Sequence, residues 1–293
     1  MTTRVVVTGG SGKLGRAVVR ELIEHGYEVH NVDRVPSPDP VAPFTRIDLG
    51  DYGQVVEALA GIEDRYASVD AVVHLGAIPA PGLTANAATF THNINATHHV
   101  FAAARAAGIT NVVWASSETL LGLPFGSVPP PYLPVDEEYP ARPQSSYALA
   151  KHLEEQMAAQ FCRWNPALKM IGLRFSNVME PADYAAFPSY AADPALRSWN
   201  AWSYIDARDG AQAVRLSLEL DATGLEIFII ANADSVMPQK SADLAAEVFP
   251  DIPVTRDVGD HGTFLSIEKA RRILGYEPQH TWRTSAQVAA SGS

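Results

Sequence analysis

Residues 5–15 read Val-Val-Val-Thr-Gly-Gly-Ser-Gly-Lys-Leu-Gly. The β-branched run ahead of a glycine cluster predicts a buried parallel strand over Val5–Thr8. Leu14, Val18 and Leu22 then recur at helical spacing and Gly26 supplies a stop, so a helix is predicted over Leu14–His25. Between strand and helix, glycines at 9, 12 and 15 permit a tight turn, let a pyrophosphate approach the backbone and let the two elements pack closely. The helix start offers free N–H groups and the positive end of its dipole to phosphate. Asp33 ends the next predicted strand, Val29–Val32, where a carboxylate accepts hydrogen bonds from the adenosine ribose. Together these predict a dinucleotide site built by Gly9, Gly12, Lys13, Leu14, Gly15 and Asp33. Asp33 favours NAD, because a carboxylate repels a 2′-phosphate. Lys13 and Arg34 are bases able to meet that phosphate, which keeps NADP as the alternative.

Outward from this turn the chain alternates. Further strands are predicted at Ala71–Leu75, Val112–Ala115, Met170–Arg174 and Ile227–Ile230, and helices at Tyr52–Ala60, Phe90–Ala107 and Tyr147–Trp164. Strands separated by helices imply βαβ crossovers, hence an α/β fold of Rossmann type: a doubly wound parallel sheet with a small C-terminal substrate lobe. The dinucleotide-binding domain is expected over residues 1–176, joined by a strand and helix from about 204–231. The lobe is expected over 177–203 and 232–293. Pro-rich stretches at Val35–Pro43 and Pro124–Pro143 are expected as loops over the sheet.

Bulk properties exclude several classes. The net charge of −11 disfavours a nucleic-acid binder, whose affinity comes from clustered Lys and Arg. No apolar run approaches the roughly 20 residues that span a bilayer, and Met-Thr-Thr-Arg-Val-Val-Val lacks a signal-peptide layout. The single cysteine, Cys162, allows no internal disulfide, and no metal-ligand spacing is present, the histidines His92, His98 and His99 included. A cytoplasmic protein with a small-molecule substrate, and no nucleic-acid, membrane or metal partner, is expected.

Tyr147 and Lys151 lie four residues apart on a predicted helix, on one face and one turn apart. With the glycine turn they complete a set of ordered motifs by which the chain resembles the extended short-chain dehydrogenase/reductase family of sugar epimerases, dehydratases and dehydrogenases. Thr8–Gly15 matches its Thr-Gly-x-x-Gly-x-x-Gly, and Asp48-Leu49 resembles its Asp-Leu pair near the adenine. His74-Leu75-Gly76-Ala77 is similar to its His-Leu-Ala-Ala. Asn93-Ile94-Asn95-Ala96-Thr97 resembles its Asn-Val-x-Gly-Thr, Ser116-Ser117 its strand-end serines, Tyr147–Lys151 its Tyr-x-x-x-Lys, and Leu173–Asn177 its Leu-Arg-x-x-Asn. The resemblance implies catalysis by Ser117, Tyr147 and Lys151 with Asn93 in support. It implies cofactor contacts from Asp48, Leu49, Leu75, Gly76, Ala77, Asn93 and Phe175 besides the turn, and a homodimer through the two long helices.

A free phenol titrates near ~10 and is a poor base at neutral pH. A neighbouring ammonium favours the phenolate and the oxidised nicotinamide adds positive potential, so both are expected to lower Tyr147, while Ser117 holds the substrate oxygen.

The substrate lobe departs from the resemblance. Nucleotide-sugar enzymes carry an arginine that grips the pyrophosphate, and Trp199-Asn200-Ala201-Trp202 stands where it would fall. Uronate dehydrogenases resemble the chain at Ala115-Ser116-Ser117 and Ala141-Arg142-Pro143, but the first arginine past Asn177 is Arg197. Substrate contacts are expected from Ser117, Glu118, Asn177, Arg197 and Trp202, with Trp199 a further pocket residue. The expected activity is oxidoreduction of a hydroxyl on a sugar, sugar acid or similar small polyol. The alternatives are an epimerase or dehydratase that recycles its cofactor internally, and a non-catalytic NAD(P)-sensing protein.

Overall fold

A computed structural model describes residues 2–63, 65–125 and 128–284. Seven parallel strands form one sheet: β1 (Arg4–Thr8), β2 (Glu28–Asp33), β3 (Phe44–Arg46), β4 (Ala71–His74), β5 (Asn111–Ser117), β6 (Lys169–Phe175) and β9 (Gly224–Ile230). Their order is β3-β2-β1-β4-β5-β6-β9. The chain therefore builds outward from β1 to β3 and returns to β4 on the other side. Such a reversal leaves a crevice past the carboxyl ends of β1 and β4, where ligands of open α/β sheets bind.

The connecting helices are α1 (Lys13–Glu24), α2 (Tyr52–Ala60), α3 (Asn86–Ala106), α4 (Ser146–Trp164) and α5 (Ala207–Glu219). The central strands β1 and β4 are buried on both sides, as helices on both faces require; Val5, Val6 and Val7 are all 0% exposed. One apolar cluster, around Val6, Val72, Phe101 and Trp114, lies under α2, α3 and α4. A larger one, around Val5, Val7, Val113 and Leu173, continues into the C-terminal part through Trp202, Tyr204, Phe264 and Trp282. The sheet and the region expected as a lobe thus share one core on that side.

All six strands expected from the sequence are present, within a few residues of their expected ends. The short edge strand β3 was not expected, because three residues directly after a Pro-rich stretch carry no readable period. The stretch without periodicity past Asn177 forms two 3₁₀ helices, Pro181–Ala192 and Pro194–Asn200. It is flanked by β7 (Val178–Met179) and β8 (Ile205–Asp206), which pair as a small parallel sheet. Two helices follow β9: α6 (Ser241–Val248) and α7 (Glu268–Leu274).

Candidate active site

A cleft of about 890 Å³ opens at the β1/β4 reversal. Its floor is the glycine turn. Gly9 has φ +72°, and a Cβ there would lie 2.6 Å from the Gly76 nitrogen; a Cβ on Gly15 would lie 2.1 Å from the Gly9 carbonyl oxygen. Only glycine lets β1, α1 and the end of β4 meet this closely. Gly12 is the N-cap of α1 and no side chain caps it, so the helix start faces the cleft with N–H groups to offer an anion. At the adenosine end, Asp33 Oδ2 accepts from the Ser11 amide at 3.1 Å and Oδ1 from the Arg34 amide at 2.6 Å, which fixes its carboxylate in the wall. Leu14, Arg34, Leu49, Leu75, Gly76, Ala77 and Phe175 line the same cleft.

Three expected cofactor residues are used differently. Lys13 lines the cleft, but its ammonium is paired to Asp183 at 2.7 Å, so it ties the turn to the first 3₁₀ helix. Asp48 does not line the cleft; its Oδ1 accepts from the Gly50 amide at 2.9 Å and so shapes the loop that presents Leu49. Asn93 is 1% exposed and bonds both backbone groups of Ile78, accepting at 2.8 Å and donating at 3.0 Å. It holds the loop after β4 rather than reaching a reacting atom.

Ser117, Tyr147 and Lys151 meet in the wall of the cleft. Ser117 ends β5, and its Oγ accepts from the Thr119 hydroxyl at 3.0 Å. Tyr147 sits in the first turn of α4, whose N-cap Ser145 accepts from the Ala148 amide at 3.1 Å. The Tyr147 phenol is hydrogen-bonded to Ser117. Lys151 follows one turn later and is 2% exposed. Burial raises the phenol above its ordinary range, against the lowering pull of Lys151 and of the Ser117 bond. Lys151 pulls the phenol down as expected, but without cofactor desolvation outweighs that pull and Glu154 opposes it.

Glu118, the next residue, has the second unusual environment. It is 3% exposed and lines the cleft beside Ser117. Ser176 Oγ donates to its Oε2 at 2.6 Å and Asn200 Nδ2 to its Oε1 at 3.0 Å. Burial pushes its carboxyl up to about 7, despite those bonds and the charge of Arg197. Asn177 and Trp199 also line the cleft.

The expectation for Trp202 is corrected. It is 0% exposed, its indole donates to the Pro194 carbonyl at 2.8 Å, and it packs on Phe249 and Phe264. Ala201 and Trp202 both have positive φ, 51° and 58°, which reverses the chain and sends the ring inward. Arg197 is likewise corrected: it lies behind the wall, under the rings of Tyr190 and Trp199, with Nη2 pointing to the Ser203 carbonyl at 3.4 Å. It reaches the site only through its field on Glu118. The sequence reading missed Glu154 and Asn200. For Glu154 a signal existed, an acid three residues past Lys151 on the same helix; for Asn200 there was none.

A family model, the NAD dependent epimerase/dehydratase family, matches residues 5–231. The chain belongs to this family. It is therefore an enzyme of the short-chain dehydrogenase/reductase superfamily, and the glycine turn with Asp33 fits the cofactor that gives the family its name. Among relatives, the UDP-glucose 4-epimerase of Corynebacterium glutamicum is 24% identical over 311 residues, 95% of this chain and 92% of that protein. A crystal structure of UDP-galactose 4-epimerase is 29% identical, with TM-score 0.68 over 95% of this chain and 94% of that one. A short-chain dehydrogenase/reductase superfamily protein from Agrobacterium tumefaciens with bound NAD is 26% identical, with TM-score 0.74 over 98% and 96%. None of the helices described is long and apolar enough to cross a membrane.

Proposed function

We propose that this enzyme oxidises a secondary hydroxyl of a small polyhydroxylated molecule that carries no nucleotide, or reduces the corresponding ketone. The observation that carries the reading is the meeting of Ser117, Tyr147 and Lys151 in one wall of a cleft that begins at a phosphate-binding turn. NAD held by the glycine turn and Asp33 would supply hydride transfer at its nicotinamide ring. Tyr147 takes or gives the proton of the substrate oxygen, the Ser117 hydroxyl holds that oxygen, and Lys151 orients the site from below.

Size and charge of the substrate follow from the same wall. Its cationic side chains are Lys13, Arg34 and Lys151, the first two at the turn and at Asp33 and the third behind Tyr147. Among the described residues none of these lines the Glu118, Asn177 and Trp199 end, where a sugar pyrophosphate or a carboxylate would need one in reach, and Arg197 lies behind the Trp199 ring. Glu118 there titrates near neutrality, so an anionic substrate meets a rising charge above pH about 7. With uncharged sugars, polyols, uronates and nucleotide sugars offered together with NAD, net NADH is expected from an uncharged polyol. For any anionic compound that reacts, KM should climb as pH rises through about 7 and flatten in Glu118→Gln. A nucleotide sugar as the best substrate would sink this reading.

One observation favours a second reading. Glu118 supplies a second proton-transfer group beside Tyr147, which a simple dehydrogenase has no use for and an elimination or epimerisation does. In that case no net NADH forms, because the hydride is returned to the product (in an elimination, to the carbon that lost its hydroxyl), and in heavy water deuterium enters the carbon that lost its hydrogen as a proton. The NAD(P)-sensing alternative finds no support, since all three reactive residues are present and in place.

We also propose a homodimer through α3 and α4. Leu149 and Leu153 are 41% and 37% exposed on successive turns of α4. Light scattering on the intact chain is expected to give twice the 31.5 kDa chain mass, and a monomer at micromolar concentration would contradict it.

A further inference from the structure

Lys151 is held from behind. Its ammonium donates to the Ala115 carbonyl and to Glu154 Oε2, each at 2.8 Å. The Lys151 and Glu154 side chains are 3% and 0% exposed. The three-residue step along α4 stacks this carboxylate on the lysine. A second tie comes from α3, where Thr97 hydrogen-bonds Glu154. Thr97 Oγ1 also meets His74 Nε2 at 3.1 Å, and His74 Nδ1 meets Thr8 Oγ1 at 2.7 Å. The ammonium is thus linked through buried side chains to the strand end that starts the phosphate turn. Burial, reinforced by Lys151, holds the His74 imidazole down to about 3, so it adds no charge.

We propose that Glu154 is a positioning residue for Lys151, fixing the direction of its ammonium and cancelling part of the charge it presents to Tyr147. This rests on the reading of Tyr147 and Lys151 as the proton-transfer pair. A lone cation a few ångströms from a phenol favours the phenolate; a carboxylate on the same nitrogen opposes that. The other charged groups facing the pair are Glu118, from the turn after β5, and Glu155, the next residue of α4. Glu155 is itself paired with Arg174 of β6 at 2.9 Å. Glu154 therefore meets the lysine most directly. Two buried charges cost more than apolar groups of the same volume, and what they provide here is an ammonium that cannot turn.

The test is a titration of the cofactor-free protein labelled with ¹³Cζ-tyrosine, the Tyr147 signal being the one absent from Tyr147→Phe. In Glu154→Gln the phenol is expected to titrate about one pH unit or more below the wild type. The rising limb of kcat/KM against pH should move down with it in the oxidation direction, and Glu154→Asp should follow the wild type. Should Glu154→Gln not fold, Thr97→Ala, which removes the second tie on Glu154, is read in its place and is expected to move the phenol in the same direction. Coincident titrations of wild type and Glu154→Gln, or of wild type and Thr97→Ala where Glu154→Gln does not fold, overturn the proposal. Because the titration needs no turnover, a failure of the catalytic reading (full activity in Tyr147→Phe) shows separately.

Discussion

Tyr147→Phe is expected to retain NAD binding and to lose turnover by about 10²–10⁴-fold, the range a positioned acid–base group contributes. The ring keeps its place, because it is 7% exposed and packed in the first turn of α4. Only the hydroxyl, its bond to Ser117 and its reach into the cleft are removed. Cofactor affinity by fluorescence and steady-state rates on the same preparation separate the two effects. Turnover within tenfold of wild type would leave Tyr147 without the role given to it and make Glu118 the next group to examine.

Gly15→Ala is expected to damage the cofactor site from inside the fold. The added methyl would stand 2.1 Å from the Gly9 carbonyl oxygen and 2.7 Å from the Gly10 Cα, both backbone atoms of the turn. The helix and the turn must move apart, and overpacking of this kind costs about 1–3 kcal/mol. NAD affinity should fall tenfold or more, since about 1.4 kcal/mol suffices for that, and the melting temperature should drop by several degrees. Gly12→Ala is the contrasting variant. Its methyl would meet the Gly9 oxygen at 3.3 Å and nothing closer, so folding should survive there. Equal NAD affinity and melting temperature in Gly15→Ala and wild type would contradict the close packing on which the site depends.

The reactive trio was legible because each member sits at a fixed offset within or beside a regular element. Tyr147 and Lys151 are one helical turn apart, and Ser117 ends a strand. The substrate end was not legible, for a physical reason visible in two residues. Trp199 and Trp202 are three apart in a stretch without period, and both read as pocket aromatics. Consecutive positive φ values at Ala201 and Trp202 turn one ring into the core while Trp199 stays in the wall. No propensity announces a left-handed tryptophan. Arg197 failed the same way, because a cation under two aromatic rings looks in sequence like a cation free to bind.

By itself the sequence determined the parallel α/β sheet and the phosphate turn, and singled out Ser117, Tyr147 and Lys151. Continuous apolar runs, helical spacing and glycines where nothing larger fits suffice for the first two, and the ordered motifs of the family resemblance for the third. Only the tertiary structure decided the electrical state of that chemistry. Burial places Glu118 near neutrality, sets Glu154 against Lys151 and holds Tyr147 above its ordinary range. A charge's energy depends on what surrounds it in space, and those surroundings come from α3, α4, β5, β6 and the 3₁₀ turns, which are distant in the chain and adjacent only once it folds.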